Sequence, residues 1–132
     1  MALLGVLSFT TAVTDYAPEG AVSPDLGSPL GFSYQITFSP TGGGTTCAAI
    51  IDTTVDDGQT WIDITRFDFT TTAALVIGTN GSISNLAPAA LAALTSGQQR
   101  PFLGNRIRAR VTTTGTYSTG SKIRIDYFPR AF

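Results

Sequence analysis

Hydrophobic and polar residues alternate along several stretches of this chain with a period of two, which is typical of half-buried β-strands. The clearest stretch is residues 31–38, whose large apolar side chains all fall on one face. Those side chains are Phe32, Tyr34, Ile36 and Phe38. The same period predicts a first strand in residues 3–13 and two closing strands in residues 106–111 and 122–127. Residues 73–79 are predicted to form a short buried strand.

Two further strands, in residues 45–55 and 60–69, are predicted to form a hairpin at the centre of the fold. They flank Asp57-Gly58, a dipeptide that favours a tight turn because glycine adopts positive φ without steric cost. About seven or eight short strands separated by Gly- and Pro-containing turns indicate an all-β fold. We therefore expect a single β-sandwich domain over residues 1–132, of jelly-roll or immunoglobulin-like type, with long loops and at most one short helix.

Two segments interrupt this pattern. Residues 14–31 are rich in Pro and Gly and are predicted to be a loop, either a surface excursion or an arm that lies on a neighbouring subunit. Residues 86–94 consist mainly of Ala and Leu, with Pro88 near the first helical position and Gly97 near the end. They predict either one short helix or an Ala-rich loop.

The composition limits the chemistry that the chain can perform. Of its 132 residues 42% are hydrophobic and 13% are charged, and none is histidine. The lack of histidine removes Ser-His-Asp and Cys-His nucleophiles and imidazole metal ligands. The single cysteine, Cys47, has no basic neighbour in the sequence to stabilise a thiolate and is predicted to be a small buried hydrophobe. We therefore predict that the protein is not an enzyme and uses neither a cofactor nor a metal.

The first residues are apolar but lack the positively charged start of a secretory signal peptide. The apolar stretch is also too short to span a bilayer as a helix. We expect a protein that is made and assembled in the cytoplasm, without a membrane partner.

The two halves of the chain carry opposite charge. Residues 1–65 contain acidic residues and no basic one, whereas residues 66–132 contain all eight Lys and Arg residues. Five of these cations occupy every second position of the two closing strands: Arg106, Arg108, Arg110, Lys122 and Arg124. Such a regular row of cations predicts a contact surface for another subunit or a scaffold protein.

A hairpin of the two closing strands would place Arg108 opposite Arg124, where like charges repel. Arg110 would face Lys122 in the same way. Three groups could neutralise this face: the acidic half of the same fold, an acidic surface of a neighbouring subunit or scaffold protein, or nucleic-acid phosphate. The net charge of -1 and the lack of interleaved aromatic residues disfavour nucleic acid.

A hairpin motif falls at the centre of the chain, in Thr54, Asp56, Gly58, Thr60 and Trp61. Its spacing resembles the Asp-box, a motif known from sialidases and many other β proteins. The resemblance implies that the Asp and hydroxyl side chains hold the turn and that the Trp packs beneath it. One copy in a chain of this length leaves no room for a propeller, so we interpret the motif as structural.

Asp52 and Asp63 are the one pair of carboxylates that the hairpin could bring together, as a glycosidase would require. The favoured interpretation is two solvent-facing acids at a polar edge. A register change of one residue would separate them.

Two longer runs, residues 51–71 and 103–117, resemble small virion structural proteins of tailed bacteriophages. The resemblance implies a β-sandwich that decorates the head or serves in the neck, tail or baseplate. It also implies a location in the virion, after assembly in the host cytoplasm. The partners would be the major capsid protein or other virion proteins, and a homo-oligomer is expected, with a trimer favoured.

The first hypothesis is therefore a capsid decoration or cement protein, and the second is a neck, tail or fibre-attachment protein. A third hypothesis, from another class, is a carbohydrate-binding β-sandwich with Trp61 or Tyr117 as the sugar platform. These hypotheses differ in the exposure of the aromatic rings, because a sugar platform must be open to solvent.

Overall fold

The computed structural model describes residues 2–9, 22–27, 29–81 and 86–130, and these residues form seven β-strands. In chain order the strands are β1 (Ala2–Phe9), β2 (Gly31–Ser39), β3 (Thr46–Thr54), β4 (Ile62–Phe69), β5 (Ala74–Gly81), β6 (Arg106–Thr114) and β7 (Ser121–Arg130). No helix occurs in this described part of the chain, and the predicted all-β class is confirmed.

The strands form two sheets in which every pairing between neighbouring strands is antiparallel. The four-stranded sheet has the order β1-β7-β2-β5, and the three-stranded sheet has the order β4-β3-β6. Side chains from both sheets form one hydrophobic core, so the architecture is that of a single β-sandwich.

Strand β2 shows how the alternating pattern forms the core. All four of its predicted core side chains are buried, namely Phe32, Tyr34, Ile36 and Phe38. Phe38 stacks on Phe69 of the opposite sheet with ring centroids 4.9 Å apart, and it meets Tyr117 edge-on at 5.8 Å. These aromatic contacts join the two sheets.

The two closing strands do not pair with each other as a hairpin. Strand β6 pairs with β3, whereas β7 lies between β1 and β2 in the other sheet. The connection between β6 and β7 carries Tyr117, which is buried and donates its hydroxyl to the Thr70 carbonyl at 2.6 Å. Tyr117 packs in the core at the point where the chain crosses from the three-stranded sheet to the four-stranded sheet. Arg108 consequently lies opposite Asp52 instead of Arg124.

Residues 86–94 form no helix, so the Ala-rich loop is the correct alternative. A helix this short is marginal in water unless its apolar face is buried. Here tertiary hydrogen bonds hold the backbone instead, because Asp63 accepts from the Leu94 amide at 3.0 Å and Arg100 donates to the Ala92 carbonyl at 2.6 Å.

The N-terminal predictions are only partly covered by the described residues. The first strand ends at Phe9, and residues 10–13 of the predicted strand lie outside the described residues. Of the predicted 14–31 loop, residues 22–27 and 29–31 are described. Residues 22–26 lie against β6 of the same chain, and Gly31 is already the first residue of β2.

Both edges of the three-stranded sheet are covered by irregular segments of the same chain. Along β6, the Ser23 amide donates to the Ile107 carbonyl at 2.9 Å, and the Ile107 amide donates back to Ser23 Oγ at 3.0 Å. Along β4, the Gly97 amide donates to the Arg66 carbonyl at 2.9 Å, and residues 98–100 continue the contact. The backbone of this sheet is therefore shielded along residues 105–108 of the β6 edge and residues 64–66 of the β4 edge.

Candidate functional site

The central hairpin is held by hydrogen bonds within its own loop. Thr54 Oγ1 donates to Asp56 Oδ1 at 2.8 Å, and the same Asp56 oxygen accepts from the Thr60 amide at 2.8 Å. These bonds hold the pKa of Asp56 below its ordinary value, the Thr60 amide making the largest contribution. Asp57 and Gly58 both have positive φ, at 59° and 93°. The Asp56 carboxylate and the Thr54 hydroxyl thus hold the loop, which residues 55–61 make longer than a two-residue turn.

Trp61 is half-buried beside this loop. The Arg108 guanidinium lies 4.6 Å from the centre of the indole ring, which is a cation–π distance. A Cβ atom at Gly58 would lie at an ordinary contact distance of 3.6 Å from the ring, so the positive φ of Gly58 favours glycine there and lack of space does not. The ring is neither fully buried, as the Asp-box resemblance implies, nor open to solvent, as a sugar platform requires. Tyr117 is buried and is not accessible as a platform either.

Asp52 is the centre of an ion-pair cluster on the outer face of the three-stranded sheet. Its side chain is 1% exposed, so the expectation of a solvent-facing acid is wrong. Arg108 donates to Asp52 Oδ2 from Nη2 at 2.8 Å and from Nε at 3.1 Å. Arg110 donates to Oδ2 from Nε at 3.1 Å and to Oδ1 from Nη2 at 3.2 Å. One buried carboxylate thus neutralises part of the charge of two arginines, in the geometry of a charge-assisted network.

Asp63 lies opposite Asp52 in the strand register but has a separate set of partners. Arg100 Nη1 donates to Asp63 Oδ1 at 2.7 Å, and the Leu94 amide donates to Oδ2 at 3.0 Å. Burial alone would raise the pKa of Asp63, but the Leu94 amide and the Arg100 guanidinium together hold that pKa below its ordinary value. Both carboxylates are therefore fixed by donors, an arrangement suited to holding segments together.

The five candidate interface cations do not share one surface. Arg106, Arg108 and Arg110 lie on β6, and Arg106 pairs with Asp57 at 3.1 Å. Arg124 lies on the outer face of the other sheet and pairs with Asp126 at 3.0 Å, and Lys122 is exposed on the same strand. Arg110 is opposite Ile50, whereas Lys122 is opposite Ser8 and Ser39, so the predicted Arg110–Lys122 pair does not form. The acidic half of the same fold neutralises most of these cations, and their contact with another subunit or a capsid stays a prediction.

A second surface was not anticipated from the charge pattern. Residues 69–99 contain no charged residue, and they include β5 at the edge of the four-stranded sheet. Leu75 and Ile77 on β5 are 61% and 75% exposed, so the prediction that residues 73–79 form a buried strand is wrong. Exposed aliphatic side chains concentrated on an edge strand are unusual for a free surface. The long uncharged stretch is the sequence signal that could have identified this surface.

The same uncharged stretch lines an apolar cavity of about 410 Å³. Its walls are residues 86–91 together with Ile62, Arg100 and Phe102. Leu91 at its rim is exposed, whereas Arg100 is already bonded to Asp63 and Ala92. The cavity therefore suits an apolar side chain of a partner better than a charged ligand.

Comparisons with protein-family models, with curated proteins and with solved structures found no match. The described residues contain no helix that is long and apolar enough to cross a membrane. They also contain no group of three or more His, Cys, Asp or Glu side chains that could hold a metal ion. Cys47 is buried, as predicted, and burial together with the charge of Asp68 raises its pKa to about 12.

Proposed function

We propose that this protein is a virion structural protein of a tailed bacteriophage, which binds the capsid as a decoration or cement protein and stabilises it. Residues 51–71 and 103–117 support the proposal through their resemblance to such proteins. The observation that carries it is the uncharged stretch of residues 69–99, in which Leu75 and Ile77 are exposed on β5 and the exposed Leu91 lines an apolar cavity. Such a surface is suited to adhesion, and its partner would be the major capsid protein or another virion protein.

The ion-pair cluster supports this function indirectly. Because Asp52 and Asp63 hold the arginines of β6 and the 95–100 segment, the three-stranded sheet forms a rigid support for the neighbouring apolar segment. Contacts that are weak individually become strong when many copies bind a repeating shell. A homo-oligomer would add further to this multivalency.

The location can be tested on purified virions of the phage that encodes the chain. Mass spectrometry would detect the protein in the particles, and gold-labelled antibodies would show where it lies. We expect many copies distributed over the head. Label confined to the neck or tail would support the second hypothesis, a neck, tail or fibre-attachment protein, and absence from the particles would contradict both.

The contact surface can be tested with Leu91→Lys, which places a charge at the rim of the apolar cavity. We expect the occupancy of capsids stripped of this protein to fall at least about tenfold, since burial of one leucine contributes about 1.5–3 kcal/mol. Val55→Lys is the matched control, because Val55 is also exposed but lies in the central hairpin loop. Equal losses for both variants would contradict the assigned surface.

Neutralising Arg108 and Arg110 is a less selective test. Both side chains hold the buried Asp52, and their removal would leave that carboxylate without its partners. Binding and folding would then change together.

A further inference from the structure

The edge strands of the two sheets differ in whether other segments of the chain bond to their backbone. Segments of the chain itself cover both edges of the three-stranded sheet, at β4 and β6. Strand β5 also lies at a sheet edge, but among the described residues no backbone hydrogen bond from outside the sheet reaches residues 74–78. This edge therefore has donors and acceptors available for another strand.

We infer that residues 74–78 of β5 pair with the same residues of a second copy of this chain. The two strands would run antiparallel about a two-fold axis and join the four-stranded sheets of the two copies into one continuous sheet. This contact would form independently of the virion role proposed above.

The register of the contact follows from the alternation of backbone groups along β5. In an antiparallel ladder, successive residues point their N–H and C=O groups alternately towards and away from the neighbouring strand. The Thr79 carbonyl is bonded to Gln99 Nε2 at 3.1 Å, from outside the sheet. Thr79 thus belongs to the outward-pointing set, and the same set contains Ile77 and Leu75.

A two-fold axis at Val76 lets the outward-pointing N–H and C=O groups of Leu75 and Ile77 in the two copies bond to each other. It places Leu75 of one copy directly opposite Ile77 of the other, so two outward-pointing, exposed aliphatic residues meet on both sides of the axis. An axis at Ile77 would instead pair Leu75 with Thr79, whose carbonyl is already occupied by Gln99. The self-complementary register is therefore the one centred on Val76.

The lack of charge around β5 permits contact with a second copy, and the small contact area limits its strength. An isologous contact brings identical surfaces together, so any charge would meet its own kind; residues 69–99 carry none. Five paired residues span only about 17 Å, and such a contact falls below the roughly 1,200 Å² of a stable interface. We therefore expect a weak, concentration-dependent dimer, in contrast to the trimer expected from the sequence.

The first experiment is sedimentation equilibrium of the full chain over a wide concentration range. We expect the wild type to form dimers and Ile77→Lys to weaken dimerisation at least tenfold, because each dimer contains the change twice. Phe128→Lys is the matched control, since Phe128 is 54% exposed on the outer face of the same sheet but on the interior strand β7. Urea unfolding of each variant establishes that the fold is retained.

The second experiment tests the register through engineered cysteines under mild oxidation. In the proposed dimer, Leu75→Cys of one copy faces Ile77→Cys of the other at a separation that a disulfide can span. A mixture of the two variants should therefore form a crosslinked dimer much faster than either variant alone.

Four results would overturn the inference. They are a monomer at every concentration, a trimer, an Ile77→Lys variant that dimerises like the wild type, and a Phe128→Lys variant that loses as much dimer as Ile77→Lys. The last result would indicate stacking of sheet faces. Fast crosslinking of Ile77→Cys with itself would overturn the register centred on Val76.

Discussion

The two sheets of the sandwich differ in the charge on their outer faces and in how their edges are covered. The three-stranded sheet carries an ion-pair network on its outer face and has both of its edges covered. The four-stranded sheet has few charges, and its β5 edge exposes aliphatic side chains. One sheet thus holds the fold together through ion pairs, whereas the other exposes aliphatic side chains at its β5 edge.

The comparison also explains the bipolar charge layout of the chain. Strand β3 and the central hairpin come from the acidic half, whereas β6 and the segment before it come from the basic half. Because β3 pairs with β6, the topology brings the two halves together within one sheet. The opposite charges of the halves therefore serve the fold first.

The largest expected effect comes from breaking the network at its centre. Asp52→Asn removes the charge that holds Arg108 and Arg110, and we expect the free energy of unfolding to fall by about 3 kcal/mol. Urea denaturation would measure the change. The matched control is Asp57→Asn, which removes an ion pair with Arg106 from a side chain that is 76% exposed. Its effect should stay below about 0.5 kcal/mol, and similar effects for both variants would argue against a special role for the buried acid.

An intermediate effect should come from cutting a polar link between the two sheets. Asn80 on β5 donates from Nδ2 to the Ile64 carbonyl at 2.9 Å and to Thr65 Oγ1 at 3.0 Å. Asn80→Ala leaves these buried acceptors without that donor, so we expect a loss of about 2 kcal/mol in urea unfolding. Thr79→Ala, at the exposed neighbouring position, should cost less than about 0.5 kcal/mol. An unchanged Asn80→Ala variant would show that the Asn80 hydrogen bonds contribute nothing to holding the two sheets together.

The smallest effect concerns the dependence of stability on pH. The folded state lowers the pKa of Asp63 below its ordinary value of 3.8, so its contribution is present above that value and is lost as the pH falls through the folded pKa. We expect Asp63→Asn to lower the Tm at neutral pH by an amount equivalent to about 1 kcal/mol. The difference from the wild type should shrink below about pH 4. A difference that is constant down to pH 2 would mean that the charge of Asp63 contributes nothing.

Much of the fold could be predicted from the sequence, because local periodicity determines which face of a strand is buried. Strand β2 and the central hairpin follow directly from alternating residues and from the Asp57-Gly58 turn. The pairing of β6 could not be predicted in the same way. Strands that are consecutive in the sequence usually lie next to each other in a sheet. Here the connection between β6 and β7 crosses to the other sheet, and the contact of Tyr117 with Thr70 in that connection can be recognised only from the structure.

The candidate site was harder to predict than the fold. The row of arginines is visible in the sequence, but their partner Asp52 lies on a distant strand, and its burial depends on the β3–β6 register. Helix propensity gave the wrong prediction for residues 86–94, where hydrogen bonds with Asp63 and Arg100 hold the backbone of Leu94 and Ala92. In both cases long-range contacts outweigh the local pattern.

The burial of Cys47 near the start of β3 gives the molecule an internal reporter of its own opening. With a pKa of about 12, almost none of this thiol is ionised at neutral pH, and the two sheets shield it from reagents. An alkylating agent can therefore modify it only in molecules whose sheets have separated. The rate of alkylation would follow transient opening under native conditions, and binding to a particle or to a second copy would be read as a slower rate.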